Sequence, residues 1–95
     1  MRIVKKVWVV YEARSETEGK VYIGRTQHLR DRKRVHKSWA KHHRGHSHFH
    51  QAIRRLGWED FNWRVIQSGL TKEEAIELEN KLIESLSTQQ KYNMI

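Results

Sequence analysis

The chain has 95 residues, no cysteine and a formal charge of +8. That length holds one domain with a single modest core, and the missing thiols exclude a disulfide framework and a thiolate zinc site. The segment Met1–Lys6 is too polar for a signal peptide and no apolar run reaches transmembrane length, so a cytoplasmic protein with no membrane partner is expected.

The charge is unevenly placed. Between Arg25 and Arg55 stand ten Lys or Arg residues and one acid, Asp31, and all seven histidines lie in the same stretch. Such a segment points to a polyanionic partner, nucleic acid first.

In chain order, Val7–Tyr11 is a β-branched and aromatic run of strand length. Ser15–Gly19 is polar and turn-like, and Lys20–Gly24 is a second strand. A four-residue loop pairs Arg14 with Gly19 and sets Tyr11 opposite Tyr22, with both phenols on one face. An aromatic cross-strand pair can serve the sheet alone. Gly24, closing the strand, permits close approach of another backbone or a phosphate.

Thr26 is a candidate cap for a helix over Gln27–His42. Leu29, Val35, Trp39 and Ala40 define its apolar arc, from which Arg32 and His36 project one turn apart. Arg30, Lys33, Arg34, Lys37 and Lys41 gather on another side. Five cations with no acid among them repel one another unless a polyanion lies nearby. Arg44-Gly45 breaks the helix and Ser47 starts another, with Phe49, Ala52, Ile53 and Leu56 on its apolar face and Gly57 as its stop. Among them His42, His43, His46, His48 and His50 match no zinc spacing. They read as a surface that gains charge below neutrality.

Phe61–Ile66 alternates as a third strand, with Phe61, Trp63 and Val65 on one face, and Ser68-Gly69 turns the chain. Thr71 and Glu74 then form a capping box for a helix reaching Leu86. Ala75, Leu78, Leu82 and Leu86 make its apolar face, widened by Ile76 and Ile83. Glu79 projects from that face, and a carboxylate aimed at a core needs a partner. Two readings stand open: an ion pair with an Arg or His, or a metal ligand. The tail Lys91–Ile95 is uninformative by composition. The order is strand, strand, helix, helix, strand, helix, an α/β domain on a small sheet.

Taken together, Val10-Tyr11, Val21-Tyr22-Ile23-Gly24, Arg32 and His36 on the next helix, Leu78-Glu79-Asn80 and Tyr92-Asn93 resemble the GIY-YIG nuclease domain, and the likeness covers almost the whole chain. Phe49, Ala52, Ile53, Gly57 and Phe61 also look like that family's middle region. The first motif's Gly and Ile are here Val9 and Val10, positions of backbone and packing rather than chemistry.

The resemblance implies a three-stranded sheet flanked by helices, and phosphodiester hydrolysis at a single divalent metal, Mg²⁺ or Mn²⁺. It places the metal ligand on Glu79, the active-site tyrosines on Tyr11 and Tyr22, the arginine on Arg32, the His or Tyr position on His36, and the C-terminal asparagine on Asn93. The implied partner is DNA, with Gly24, Arg25, Arg30, Lys33, Arg34, Lys37, Lys41, Arg44, Arg54 and Arg55 holding its backbone. Such contacts position without reading sequence. Target choice would then fall to a separate domain or partner protein, or the domain would act alone with loose or structure-dependent specificity. Two other classes predict different behaviour: a non-catalytic nucleic-acid-binding module of the same fold, and a His-rich metal binder whose zinc affinity survives loss of Glu79.

Overall fold

The opening β-branched run forms strand β1 (Trp8–Ser15), and after a polar turn the second run forms β2 (Val21–Thr26). Helices α1 (Leu29–Lys41) and α2 (His48–Leu56) follow, then a 3₁₀ turn at Trp58–Asp60, β3 (Phe61–Leu70) and α3 (Lys72–Ser85). This computed structural model describes residues 5–42 and 47–93. The three strands make one antiparallel sheet in the order β2-β1-β3. The expected order of elements and the flanked three-stranded sheet are both present. Among the described residues no helix is long and apolar enough to cross a membrane.

Alternation along β1 separates two apolar layers. Ala13 joins Ala40, Phe49, Ala52, Ile53, Phe61 and Tyr92 on the side covered by α1 and α2. Val10 joins Val21, Ile23, Leu70 and Ala75 on the side covered by α3, where Leu78, Leu82, Ile83 and Leu86 complete the packing. The sheet is thus covered on both faces, and a catalytic group from either helical layer has to reach it around an edge.

Several boundaries differ from the sequence reading. The hairpin register is shifted by two: Tyr11 pairs with Gly24, and Tyr22 with Ala13. The reason is that β1 runs on through Ser15, whose N–H closes the turn on the Lys20 carbonyl at 3.0 Å. An even shift leaves faces unchanged, so both phenols still share a side, with ring centroids 6.3 Å apart. The turn is also fastened from outside. Asp60 accepts 2.6 Å hydrogen bonds from the Ser15 and Thr17 hydroxyls.

Thr26 is the buried last residue of β2 rather than a helix cap; its hydroxyl accepts the His28 N–H at 3.1 Å, and α1 begins at Leu29. Trp39 of the expected apolar arc is 42 % exposed, because α1 buries only His36 and Ala40. Ser47 does cap α2, accepting from the His50 N–H. The proposed break at Arg44-Gly45 lies outside the described residues.

Ser68 and Gly69 do not form a turn; they belong to β3, which extends to Leu70. Gly69 has φ +69°, and pairing slips between Trp8 and Val10 and again between Val10 and Tyr11. These are bulges, for which a left-handed glycine suits the extra residue. The capping box is as read: Thr71 Oγ1 accepts from Glu74 N at 3.1 Å and Glu74 Oε1 from Thr71 N at 2.9 Å.

The tail, mute by composition, finishes the outer edge of β2. Val21 N–H donates to Gln90 O, Tyr92 N–H donates to Val21 O, and the Val21–Lys91 bridge is parallel. Tyr92 is buried, and its hydroxyl donates to Glu18 at 2.6 Å.

Candidate active site

Where the two helical layers meet around the β2 edge lies a cavity of about 300 Å³ lined by Trp8, Tyr11, Tyr22, Ile23, Arg25, Arg32, Glu79 and Asn93. Five of the six residues assigned to catalysis therefore line one space. The sixth, His36, stands directly behind Tyr11.

Tyr11 is nearly fully buried, and its phenol lies over Gly24, where a side chain would overlap it. The close neighbour that Gly24 admits is thus a phenol from the adjacent strand. Burial raises the Tyr11 pKa well above the ordinary phenol value, reinforced by Tyr22 and Glu79 and opposed by Arg32. Burial raises Tyr22 as well, with Glu79 adding to it. The Tyr22 ring stacks on Phe49 at 4.3 Å and an interplanar angle of 7°, which fixes its direction from β2.

The Tyr11 hydroxyl is 3.0 Å from His36 Nε2. His36 Nδ1 is 2.9 Å from His50 Nε2, and His50 Nδ1 is 2.9 Å from Ser47 Oγ. Burial, then the neighbouring His50 and Arg32, push His36 down to about 3, so it is neutral near pH 7. Burial and Arg54 lower His50 in the same direction.

His50 was read as part of a surface that charges below neutrality. Instead it is buried and its pKa is lowered, while His42 and His48 are exposed; His43 and His46 lie outside the described residues. One signal could have found it. His50 follows Phe49 and precedes Ile53 by three residues, which puts it at the border of the apolar face of α2.

Glu79 reaches the cavity from α3, its side chain 13 % exposed. Arg25 Nη1 donates to its Oε1 at 2.7 Å. The ion-pair reading of Glu79 therefore has a partner, contributed by the outgoing end of β2. The pairing leaves Arg25 Nε buried and unpartnered among the described residues. Arg32 is exposed at the cavity wall rather than turned into the core, with His36 one turn behind it.

Asn93 acts as an extra strand residue. Its Oδ1 accepts from Ile23 N at 2.8 Å and its Nδ2 donates to Ile23 O at 2.7 Å, tying the tail to β2 just before Gly24.

Of the expected backbone contacts, Arg25 sits inside the cavity. Arg30, Arg34, Lys37 and Lys41 are exposed along α1. Lys33 lies over the Trp63 ring at 5.4 Å and Lys37 over Trp58 at 5.7 Å. Arg55 is taken by Glu18, with Nη2 2.8 Å from each carboxylate oxygen. Arg54 is half-buried on α2, and Arg44 lies outside the described residues.

Comparison with known proteins agrees with this fold. The catalytic domain of the homing endonuclease I-TevI superposes with a TM-score of 0.80 at 21 % identity, covering 93 % of this chain and 98 % of that one. A glutamate-to-alanine mutant of the I-TevI catalytic domain gives a TM-score of 0.81 at 21 % identity, with 93 % of each chain covered. At that identity the likeness is one of fold. No curated protein matches. The sequence profile of the GIY-YIG catalytic domain matches residues 7–93, nearly the whole chain, and the chain belongs to that family.

Proposed function

We propose that this domain is a divalent-metal-dependent DNA endonuclease that hydrolyses phosphodiester bonds in the cavity at the β2 edge. The observation that carries the reading is convergence. A carboxylate (Glu79), a guanidinium (Arg32) and a hydrogen-bonded phenol–imidazole pair (Tyr11 and His36), drawn from both helical layers and the sheet, meet at one polar cavity.

The donor set fits a hard cation. Among the described residues no group of three His, Cys, Asp or Glu could enclose a metal. A lone carboxylate beside open volume suits Mg²⁺ or Mn²⁺, which keep waters and take further ligands from phosphate. Glu79 is the residue that would hold the ion. When bound, it would supply Lewis-acid stabilisation of charge on the phosphate and the leaving oxygen.

The protein's own groups account for the remaining steps. Arg32, at the cavity wall, binds the scissile phosphate and offsets charge as it grows. Arg25, also on the cavity wall, holds Glu79 through its Nη1. Tyr11 takes the proton of the attacking water, and His36, neutral at Nε2, accepts the phenol's own proton. Tyr22 packs beside Tyr11 and shapes the water's approach. Asn93 holds the strand carrying Tyr22 and Gly24. Exposed Arg30, Arg34, Lys37 and Lys41 follow the DNA backbone without reading bases.

The test is supercoiled plasmid with Mg²⁺ or EDTA, wild type beside Glu79→Ala and Tyr11→Phe. Metal-dependent nicking or linearisation that Glu79→Ala abolishes is expected, with Tyr11→Phe slowing turnover much more than binding. A second reading, a module that binds nucleic acid without cutting, is favoured by the Arg25–Glu79 ion pair, which already neutralises the carboxylate. It predicts gel shifts in EDTA with no cleavage in any divalent metal.

A further inference from the structure

The unbroken series Tyr11 Oη, His36, His50, Ser47 Oγ has links of 3.0, 2.9 and 2.9 Å and runs from the cavity, through two buried imidazoles, to the N-terminus of α2. Ser47, at its end, is exposed. We propose that this series is a proton wire that carries the proton released at Tyr11 to solvent at Ser47, with His50 as its relaying residue. The proposal rests on Tyr11 being the base of the phosphodiester reaction.

The need for a wire comes from the burial of Tyr11. The phenol is nearly fully buried with its hydroxyl hydrogen-bonded to His36 Nε2 at 3.0 Å, so in the resting protein it already carries a proton directed at His36. It can still accept a proton if it loses its own at the same time. Two neutral imidazoles in series allow two hydrogen-bond directions. In the resting one, Tyr11 O–H donates to His36 Nε2, His36 Nδ1–H donates to His50 Nε2, and His50 Nδ1–H donates to Ser47 Oγ. The Ser47 hydroxyl proton is then directed to solvent. Ser47 Oγ also accepts the His50 backbone N–H at 3.2 Å, which favours its role as acceptor.

The transfer balances. As water attacks phosphorus, its O–H breaks and a new O–H forms on Tyr11. The phenol's original proton passes to His36 Nε2, the His36 Nδ1 proton to His50 Nε2, and the His50 Nδ1 proton to Ser47 Oγ, whose own proton leaves to solvent. The P–O bond to the leaving oxygen breaks, and that oxygen is protonated by solvent. No residue is left charged. After product departs, the reverse transfer between waters at the two ends restores the resting direction.

The decisive variant is His50→Gln. Its amide nitrogen or oxygen occupies the place of imidazole Nε2 and keeps a hydrogen bond to His36, but it has no second ring nitrogen to pass a proton to Ser47. Cleavage is expected to fall about tenfold or more, with DNA affinity in a gel shift and thermal stability close to wild type. In H₂O/D₂O mixtures the wild-type rate should curve with deuterium content, as several moving protons require, and the variant's should curve less. Wild-type rates from His50→Gln, with Tyr11→Phe slow, would overturn the wire and leave the base reading standing. Tyr11→Phe cutting as fast as wild type would remove the base reading and the wire with it. A readout independent of activity is ¹⁵N NMR of the ring nitrogens in the metal-free, DNA-free protein. Both His36 and His50 are expected as the Nδ1–H tautomer, and Nε2–H on His36 at rest would overturn the proposal.

Discussion

The phenol of Tyr11 lies over the α-carbon of Gly24, so closely that a β-carbon there would overlap the ring. The two residues face each other across the β1–β2 ladder. The glycine is therefore part of what fixes the Tyr11 hydroxyl against His36.

Gly24→Ala should displace Tyr11 without unfolding the sheet. Tyr11 is buried and held on its other side by Trp63, stacked at 5.7 Å, so the ring cannot retreat freely. Overpacking of this kind costs about 1–3 kcal/mol. The expected result is a melting temperature several degrees lower and cleavage lost far beyond any change in DNA affinity. An alanine variant with wild-type melting and cleavage would show that the contact constrains nothing.

Much of this was legible in the residues. The periodicity of Thr71–Leu86 and its capping box located α3 and set Glu79 on its inner face. Arg32 and His36 were separated from the basic stripe by spacing alone. What periodicity could not supply was pairing between distant segments. Arg25 reads as one more cation in a basic run, and only the turn of β2 toward α3 brings it to Glu79. His50 reads as one histidine among several, and only the packing of α2 against α1 turns its ring to His36. The tail has no periodic pattern, since it docks partly by backbone hydrogen bonds that any sequence can make and partly by the single side chains of Tyr92 and Asn93. Bulges hid the true length of β3, because an inserted residue breaks the alternation that marks a strand.

Asn93→Ala tests whether the asparagine acts through the strand. Its amide makes both hydrogen bonds to Ile23, and truncation strips a partner from each backbone group. Leaving such groups unsatisfied costs about 1–3 kcal/mol. Denaturant unfolding should register that loss, and hydrogen exchange at Ile23 should quicken. Unchanged exchange at Ile23, with cleavage lost, would move Asn93 from a structural role to a direct one.

In the proposed mechanism Arg25 and a divalent cation would compete for the same carboxylate. With the guanidinium 2.7 Å from Oε1, the ion must bind against a resident positive charge or displace it. Arg25→Gln should therefore tighten Mn²⁺ binding to the DNA-free protein, on the order of tenfold, about 1.4 kcal/mol. Isothermal titration checks it. Weaker binding in the variant would mean that Arg25 orients Glu79 for the metal more than it opposes it. Cleavage need not rise, since the same arginine also holds Glu79 in place.

Acid should weaken the fold before any carboxylate is protonated. His36 is held neutral, at about 3 against 6.5 for the free side chain, and His50 is lowered as well. Between those values the unfolded chain binds more protons than the folded one, so stability rises with pH across the window and falls on acidification below 6.5. For His36 alone the loss between pH 7 and pH 5 is about 2 kcal/mol. Glu18, Asp60 and Glu74, whose pKa values are lowered by hydrogen bonds, add their own losses only below their ordinary values. Denaturant midpoints measured at pH 7 and pH 5 should therefore differ in the wild type and differ less in His36→Gln. A wild-type midpoint unchanged between pH 7 and pH 5 would mean that His36 accepts a proton in place, and the neutral pair linking Tyr11 to Ser47 would not exist.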